Sequence, residues 1–270
     1  KALIGDRALI ISKLEKPSAI VELEDIIKLS DGIMVARGDL GVECPLQTVP
    51  VLQKKIVNAC RKYARPVIVA TQMLESMIEK PTPTRAEVSD VATAVYDGAD
   101  AVMLSAETAA GKYPVEAVKM MNKIITQVEA DPLFFQYMKN LQSVSCCMGE
   151  ADSITYAASE ISKVLKNVKA VVTYTSSGRT TFLVSRERPD IPIVAVTPNI
   201  KVARQLGLVW GARRFINEST FQSFDRFEDV AKTVALASGA ANKGDHIIIT
   251  GGFPLGVKGR TNMLHTVYID

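Results

Sequence analysis

The sequence predicts an α/β protein of two domains, the first a run of βα units and the second a separate α/β series. Three observations carry this. Short β-branched runs alternate with amphipathic helical stretches from the first residues onward. The alternation lapses after Ala130-Asp131-Pro132 and then resumes. The length of 270 residues suits two ordinary domains better than one.

The first strand is expected at Ala8–Leu14, followed by a helix over Ser18–Leu29 in which Ile20, Leu23 and Ile27 recur at helical spacing. Asp31–Ala36 is the second strand, with a helix over Leu46–Tyr63. Pro66–Ala70 is the third, followed by a helix over Thr84–Tyr96 that Thr84 and Glu87 mark with a capping box. Ala101–Leu104 is the fourth, and its helix, Pro114–Val128, begins with proline in the favoured first turn. These four βα units are half of what an eight-stranded barrel needs, so the sequence is expected to lack a front portion.

A helical stretch over Pro132–Leu165, with a polar break near Ser143–Asp152, opens the second domain, giving domains of 1–130 and 131–270. Strands are then expected at Ala170–Tyr174, Pro192–Val196 and Ala212–Ile216, with helices at Arg179–Arg186, Ile200–Leu206 and Phe227–Ser238. The closing strands His246–Thr250 and Met263–Ile269, joined by a glycine-rich loop, form an edge hairpin.

Composition excludes several classes. Hydrophobic residues at 47% and charged residues at 23% describe a globular chain. A net charge of +3 with scattered lysines and arginines argues against nucleic acid and for small anionic ligands. No apolar run reaches the ~18 residues of a membrane span, and no signal-peptide pattern opens the chain. Cys44, Cys60, Cys146 and Cys147 lack CxxC spacing, which fits a reducing cytoplasm.

Polar residues gather where the first four strands end: Lys13-Leu14-Glu15, Arg37-Gly38-Asp39, Thr71-Gln72 and Ser105-Ala106-Glu107. In a (β/α)8 barrel those ends form the active-site face. Glu15 and Asp39 supply hard oxygen ligands suited to Mg²⁺ or Mn²⁺. Two solvated acids pairing with Lys13 or Arg37 would look the same, and the residues alone weigh these readings equally. Lys13 and Glu15 point to one side of their strand, and a phosphoryl group would satisfy the lysine. Gly38-Asp39-Leu40-Gly41 starts a helical turn whose N–H groups suit a carboxylate or phosphate, although a plain glycine turn explains it as well. Thr71 could bond the same ligand, relay a proton or cap its turn. In the second domain Thr175-Ser176-Ser177-Gly178-Arg179-Thr180 joins a strand to a helix and could cradle a phosphate or be an ordinary capped turn. His246 and His265, in the last strands, read as structural.

Four blocks, SKLE (Ser12 to Glu15), MVARGDLGVE (Met34 to Glu43), ATQMLESM (Ala70 to Met77) and PTRAEVSDVATAVYDGADAVMLSAETAAGKYP (Pro83 to Pro114), resemble the catalytic blocks of pyruvate kinases in family order and spacing. LSAETAAG, with Ala106 where many members have glycine, resembles a bacterial branch. The resemblance implies the second half of a TIM (β/α)8 barrel followed by the effector-binding α/β domain. It implies transfer of the phosphoryl group of phosphoenolpyruvate to ADP, giving pyruvate and ATP in glycolysis. Lys13 would stabilise the phosphoryl group in flight, and Glu15 and Asp39 would hold Mg²⁺ or Mn²⁺. The backbone at Gly38 and Asp39, with Thr71, would hold the substrate carboxylate, Arg37 would order that loop, and Ser105 and Glu107 would line the pocket on the proton path to the enolate. Arg85 and Glu87 would lie near a subunit contact of a homotetramer. Thr175 to Thr180, helped by the loop Gly251–Gly259, would take a sugar-phosphate or AMP effector. The family's potassium site, phosphate-binding arginines and lid domain belong to a front portion that these residues do not match, so this piece alone is expected to have little activity. A metal-dependent lyase of the phosphoenolpyruvate/pyruvate barrel type and a non-catalytic effector-binding or oligomerising module are the competing readings. The second domain argues against the lyase.

Overall fold

The computed structural model describes residues 1–5, 7–141, 149–216, 224–254 and 260–270. Cys146, Cys147 and the loop from Leu255 to Gly259 lie outside the described residues. Two compact units divide between Leu141 and Gln142.

The first unit contains β1 (Ile11–Leu14), α1 (Pro17–Val21), α2 (Leu23–Leu29), β2 (Gly32–Ala36), α3 (Arg37–Glu43), α4 (Val49–Lys62), β3 (Val67–Ala70), α5 (Arg85–Tyr96), β4 (Ala101–Met103), α6 (Ala106–Ala109), α7 (Pro114–Glu129) and α8 (Pro132–Leu141). The strands form a parallel sheet in sequence order. Its register aligns Leu14 with Val35, Val35 with Val69 and Val69 with Val102. Leu14, Ile33, Val35, Val67 and Val69 pack with Ile27, Ile56, Val91 and Met121 of the helices. Strand side chains alternate between faces, so Lys13 and Glu15 project from the face opposite this core.

The helix expected over Ser18–Leu29 is broken at Glu22, whose φ of −94° and ψ of 22° separate α1 from α2. The helix expected from Leu46 begins as a 3₁₀ turn, Leu46–Thr48, and becomes α-helical at Val49, with Pro50 in the first turn of α4. The expected capping box on α5 is present, with Thr84 and Glu87 bonded reciprocally. The sequence boundary at Asp131 and the structural division after Leu141 differ by α8. That helix packs on α5 through Phe134 and Tyr137, whose rings lie 6.0 and 6.2 Å from that of Tyr96.

The second unit comprises α9 (Glu150–Val164), β5 (Val168–Tyr174), α10 (Arg179–Arg186), β6 (Ile193–Thr197), α11 (Ile200–Gln205), β7 (Ala212–Ile216), α12 (Phe224–Ala237), β8 (His246–Gly251) and β9 (Met263–Tyr268). The sheet order is β7-β6-β5-β8-β9, parallel except for β9, which pairs antiparallel with β8 at one edge. Period-two alternation gives this sheet two apolar faces. Val172, Val194 and Ile249 meet Phe227, Ala231 and Ala235 of α12. Val171, Ile193 and Ile248 meet Ala158 of α9 and Val184 of α10. No described helix is long and apolar enough to cross a membrane.

Candidate active site at the carboxyl ends of β1 to β4

Sheet register brings the strand-end residues into one row. Because Ala36 pairs with Ala70 and Ala70 with Met103, the chain leaves the sheet at neighbouring positions at Arg37, Thr71 and Leu104.

At β1 and α3 the Lys13 ammonium contacts two carboxylates, lying 2.8 Å from Asp39 Oδ2 and ion-paired with Glu15 as well. The hydrogen bonds that Lys13 donates to Asp39 and then to Glu15 raise the lysine's pKa, and the bond from Lys13 holds the Asp39 carboxyl below the usual aspartate range. All three side chains are accessible to solvent, so the pairing adds little to stability. It does establish that both carboxylates reach one point. Two hard oxygen donors with room for water and substrate oxygens suit Mg²⁺. Among the described residues no cluster of three or more His, Cys, Asp or Glu offers a fuller protein cage.

Thr71 and Gln72 turn the chain off β3 with φ of 70° and 54°. A left-handed conformation is costly for a β-branched residue and persists only where neighbours impose it. Arg37, 8% exposed, does so. Its Nε and Nη2 donate to the Thr71 carbonyl at 3.2 and 2.8 Å, and Nη2 donates to that of Gln72 at 3.0 Å. Nη1 and Nη2 also meet Asp90 Oδ1 and Oδ2 at 2.7 and 2.6 Å, a bidentate pair. The Thr71 hydroxyl donates to its neighbour's carbonyl, Ala70 O, at 2.6 Å and accepts the Gly38 N–H at 2.8 Å. Thr71 and Gly38 are therefore one hydrogen-bonded unit.

Ser105 caps α6 without a side-chain bond and is half-buried. Glu107, expected to line the pocket, is 3% exposed, with its oxygens accepting from the backbone N–H groups of Leu74 and Ser105.

Asp90 and Gln53 were missed by sequence reasoning. Gln53 is buried and accepts from Arg37 Nη1 at 3.4 Å while donating to the buried Asp97 carboxylate at 2.9 Å. The available signal was a set of polar residues at inward-facing helical positions beside Val91 and Val57. Glu87 also does more than cap. Its carboxylate accepts from Ser76 N at 2.7 Å and Ser76 Oγ at 2.6 Å, tying the turn after β3 to the start of α5. Arg85 is exposed.

In the second unit Thr175 to Thr180 joins β5 to α10. The Thr175 hydroxyl accepts the Gly178 N–H at 2.8 Å, and the buried Thr180 hydroxyl pairs with that of Thr261 at 2.8 Å. Gly178 takes a φ of 87°. Ser177 and Arg179 face solvent and Ser176 is half-buried. His265 lies 3.6 Å from Glu228, and the His246 ring stands 5.2 Å from that of Tyr268.

Residues 3–118 match the family model described as pyruvate kinase, barrel domain, and residues 152–267 match that of pyruvate kinase, alpha/beta domain. A pyruvate kinase of Agrobacterium vitis is 48% identical over 269 residues, covering 100% of this chain and 55% of the relative. One from Methylorubrum extorquens is 46% identical over 269 residues, covering 100% and 56%. The crystal structure of a pyruvate kinase from Cryptosporidium parvum superposes with a TM-score of 0.88 at 35% identity, covering 97% of this chain and 52% of that one. The chain spans about half the length of the curated relatives it matches.

Proposed function

Since the chain belongs to the pyruvate kinase family, we propose that the protein it forms part of transfers the phosphoryl group of phosphoenolpyruvate to ADP, yielding pyruvate and ATP. The observation that carries this reading is the Lys13 ammonium held between the Glu15 and Asp39 carboxylates at the ends of β1 and β2. Phosphoryl transfer demands positive charge and alignment more than covalent chemistry, and Lys13 supplies a solvent-accessible cation. Glu15 and Asp39 would hold Mg²⁺ or Mn²⁺, which would supply further positive charge to substrate oxygens. The Gly38–Thr71 unit and the Asp39 backbone would receive the substrate carboxylate, Arg37 fixing the turn that presents them. Ser105 borders the same row and would serve protonation of the enolate.

The same reading extends to the whole protein: a cytoplasmic homotetramer of glycolysis, using K⁺ as well, with a sugar phosphate or AMP bound at the β5–α10 turn. There Ser176, Ser177 and Arg179 are the groups left facing outward. Thr175 and Thr180 would shape the turn through their internal hydrogen bonds.

The test is ADP- and Mg²⁺-dependent formation of pyruvate from phosphoenolpyruvate by the full-length protein beside Lys13→Met. We expect turnover by the parent, a loss of about 10²–10³-fold in kcat in the variant, and Mn²⁺ affinity kept within a few-fold. Near-normal turnover by Lys13→Met would overturn the role of the lysine. A parent that enolises pyruvate without phosphoryl transfer would overturn the reaction assignment.

A further inference from the structure

The geometry points to Glu107 as a positioning residue that locks the turn after β3 to the turn after β4, and so sets Thr71 relative to Ser105. This rests on the phosphoryl-transfer reading of the site.

Glu107 is a polar side chain on a four-residue helix, yet it is 3% exposed. Burying a carboxyl group in this way is costly unless its oxygens are satisfied. They are: Oε1 accepts from Leu74 N at 3.2 Å and Oε2 from Ser105 N at 2.7 Å. The two donors sit on different loops, one after β3 and one after β4. Between Thr71 and Leu74 the chain has little freedom, because Met73 and Leu74 are both fully buried in the apolar core.

The turn is thus gripped from two sides. Arg37 holds the carbonyls of Thr71 and Gln72, and Glu107 holds the N–H of Leu74. The second grip also fixes Ser105, whose φ of −112° and ψ of −102° lie outside the regular helix and strand regions. Space around this brace is closed as well. A Cβ on Gly111 would stand 2.6 Å from the Glu107 carbonyl and 3.2 Å from Ile78 Cα, so the loop following α6 lies close against the Glu107 backbone. With both oxygens engaged and almost none of its surface open, Glu107 acts through the backbone of its neighbours and does not touch substrate.

Glu107→Gln keeps the shape but turns an amide NH2 toward one of the two N–H donors. In the full-length protein this variant should raise the KM for phosphoenolpyruvate about tenfold, the loss of one charge-assisted hydrogen bond. The KM for ADP and the affinity for Mn²⁺ should stay within about twofold, because Lys13, Glu15 and Asp39 stand at the ends of β1 and β2 and Glu107 bonds to none of them. Partial unfolding would lower the active fraction without moving one KM selectively. Unchanged phosphoenolpyruvate kinetics would overturn the inference. So would a fall in kcat at constant KM with an altered pH profile, which would place Glu107 in proton transfer. If the variant does not fold, hydrogen exchange on the wild-type protein decides: the Leu74 and Ser105 amides should both be protected, and rapid exchange at either would refute the brace. A wild-type protein without phosphoryl transfer would instead fail the functional reading.

Discussion

Replacing Asp90 with alanine tests how the Thr71 turn is held. The Arg37 side chain is 9% exposed and that of Asp90 37%. Breaking a fully buried pair costs about 3–5 kcal/mol, and an exposed pair is worth about 0–1 kcal/mol. A pair buried on the arginine side and bidentate at 2.6 and 2.7 Å falls between, at about 2 kcal/mol. For a domain of this size that lowers Tm by roughly 4–8 °C. Asp90→Asn retains one acceptor and should lose about half as much.

The loss has a local signature too. Without its carboxylate partner the guanidinium is free to turn away from the Thr71 and Gln72 carbonyls. Two non-glycine residues at positive φ then relax, and the Thr71 hydroxyl leaves the Gly38 N–H. The assay is thermal unfolding of the intact protein together with hydrogen exchange at the Gly38 amide. A Tm within about 1 °C of wild type, with Gly38 protection unchanged, would refute the idea that Asp90 holds the turn through Arg37.

Three further outcomes follow from other parts of the molecule. Burial would raise the Glu87 pKa, but hydrogen bonds from Ser76 and Thr84 outweigh it and hold the carboxyl below its ordinary 4.5. Its stabilising effect is therefore complete above that pH and fades as pH falls through the lower folded-state value; urea midpoints of wild type and Glu87→Gln should converge in acid, and a pH-independent gap would disprove the clamp. Gly178→Ala places a Cβ 3.1 Å from Phe182 at a φ of 87° and should cost about 1–3 kcal/mol in a thermal melt; equal Tm values would contradict the strain. Phe227, fully buried against Tyr174 at 5.3 Å between ring centres, should cost about 3–5 kcal/mol when cut to alanine, and a shift under 1 kcal/mol would mean that α12 does not anchor its face of the sheet.

How much of this could be read in advance depended on the distance over which each feature is encoded. The strands and the helices α5, α7 and α10 announce themselves in contiguous residues, through β-branched runs, a capping box and a proline in the first turn. Local signals also located the ends of β1 to β4 and hence Lys13, Glu15, Arg37, Thr71 and Ser105. The break at Glu22 was not legible, because Ile20, Leu23 and Ile27 fit one continuous helical stripe as well as two short ones. Nor was the placement of α8, which depends on Tyr96 meeting Phe134 and Tyr137, contacts between residues far apart in the sequence.

Arg37 and Glu107 stand at strand ends that the sequence marks, but the contacts through which they and Asp90 order the site escape sequence reading for a related reason. A parallel sheet aligns strand ends by its register, so polar residues after Leu14, Ala36, Ala70 and Met103 must become neighbours, and a reader who finds the strands finds the row. Whether that row is held rigidly is decided elsewhere. Asp90 reaches Arg37 across 53 positions, and Glu107 reaches Leu74 across 33. Asp90 is a single polar side chain on a helix whose apolar stripe explains the helix without it, and Glu107 sits on a four-residue helix too short to show a stripe. Periodicity can place such a residue on the inward side of its helix but not name the distant group it meets, and that contact identifies it as a brace. The charges that would meet substrate are therefore the exposed ones, Lys13, Glu15 and Asp39, while the charges that fix geometry are the buried ones, Arg37 and Glu107. Exposure separates the two groups where residue type cannot: both contain one cation and at least one carboxylate.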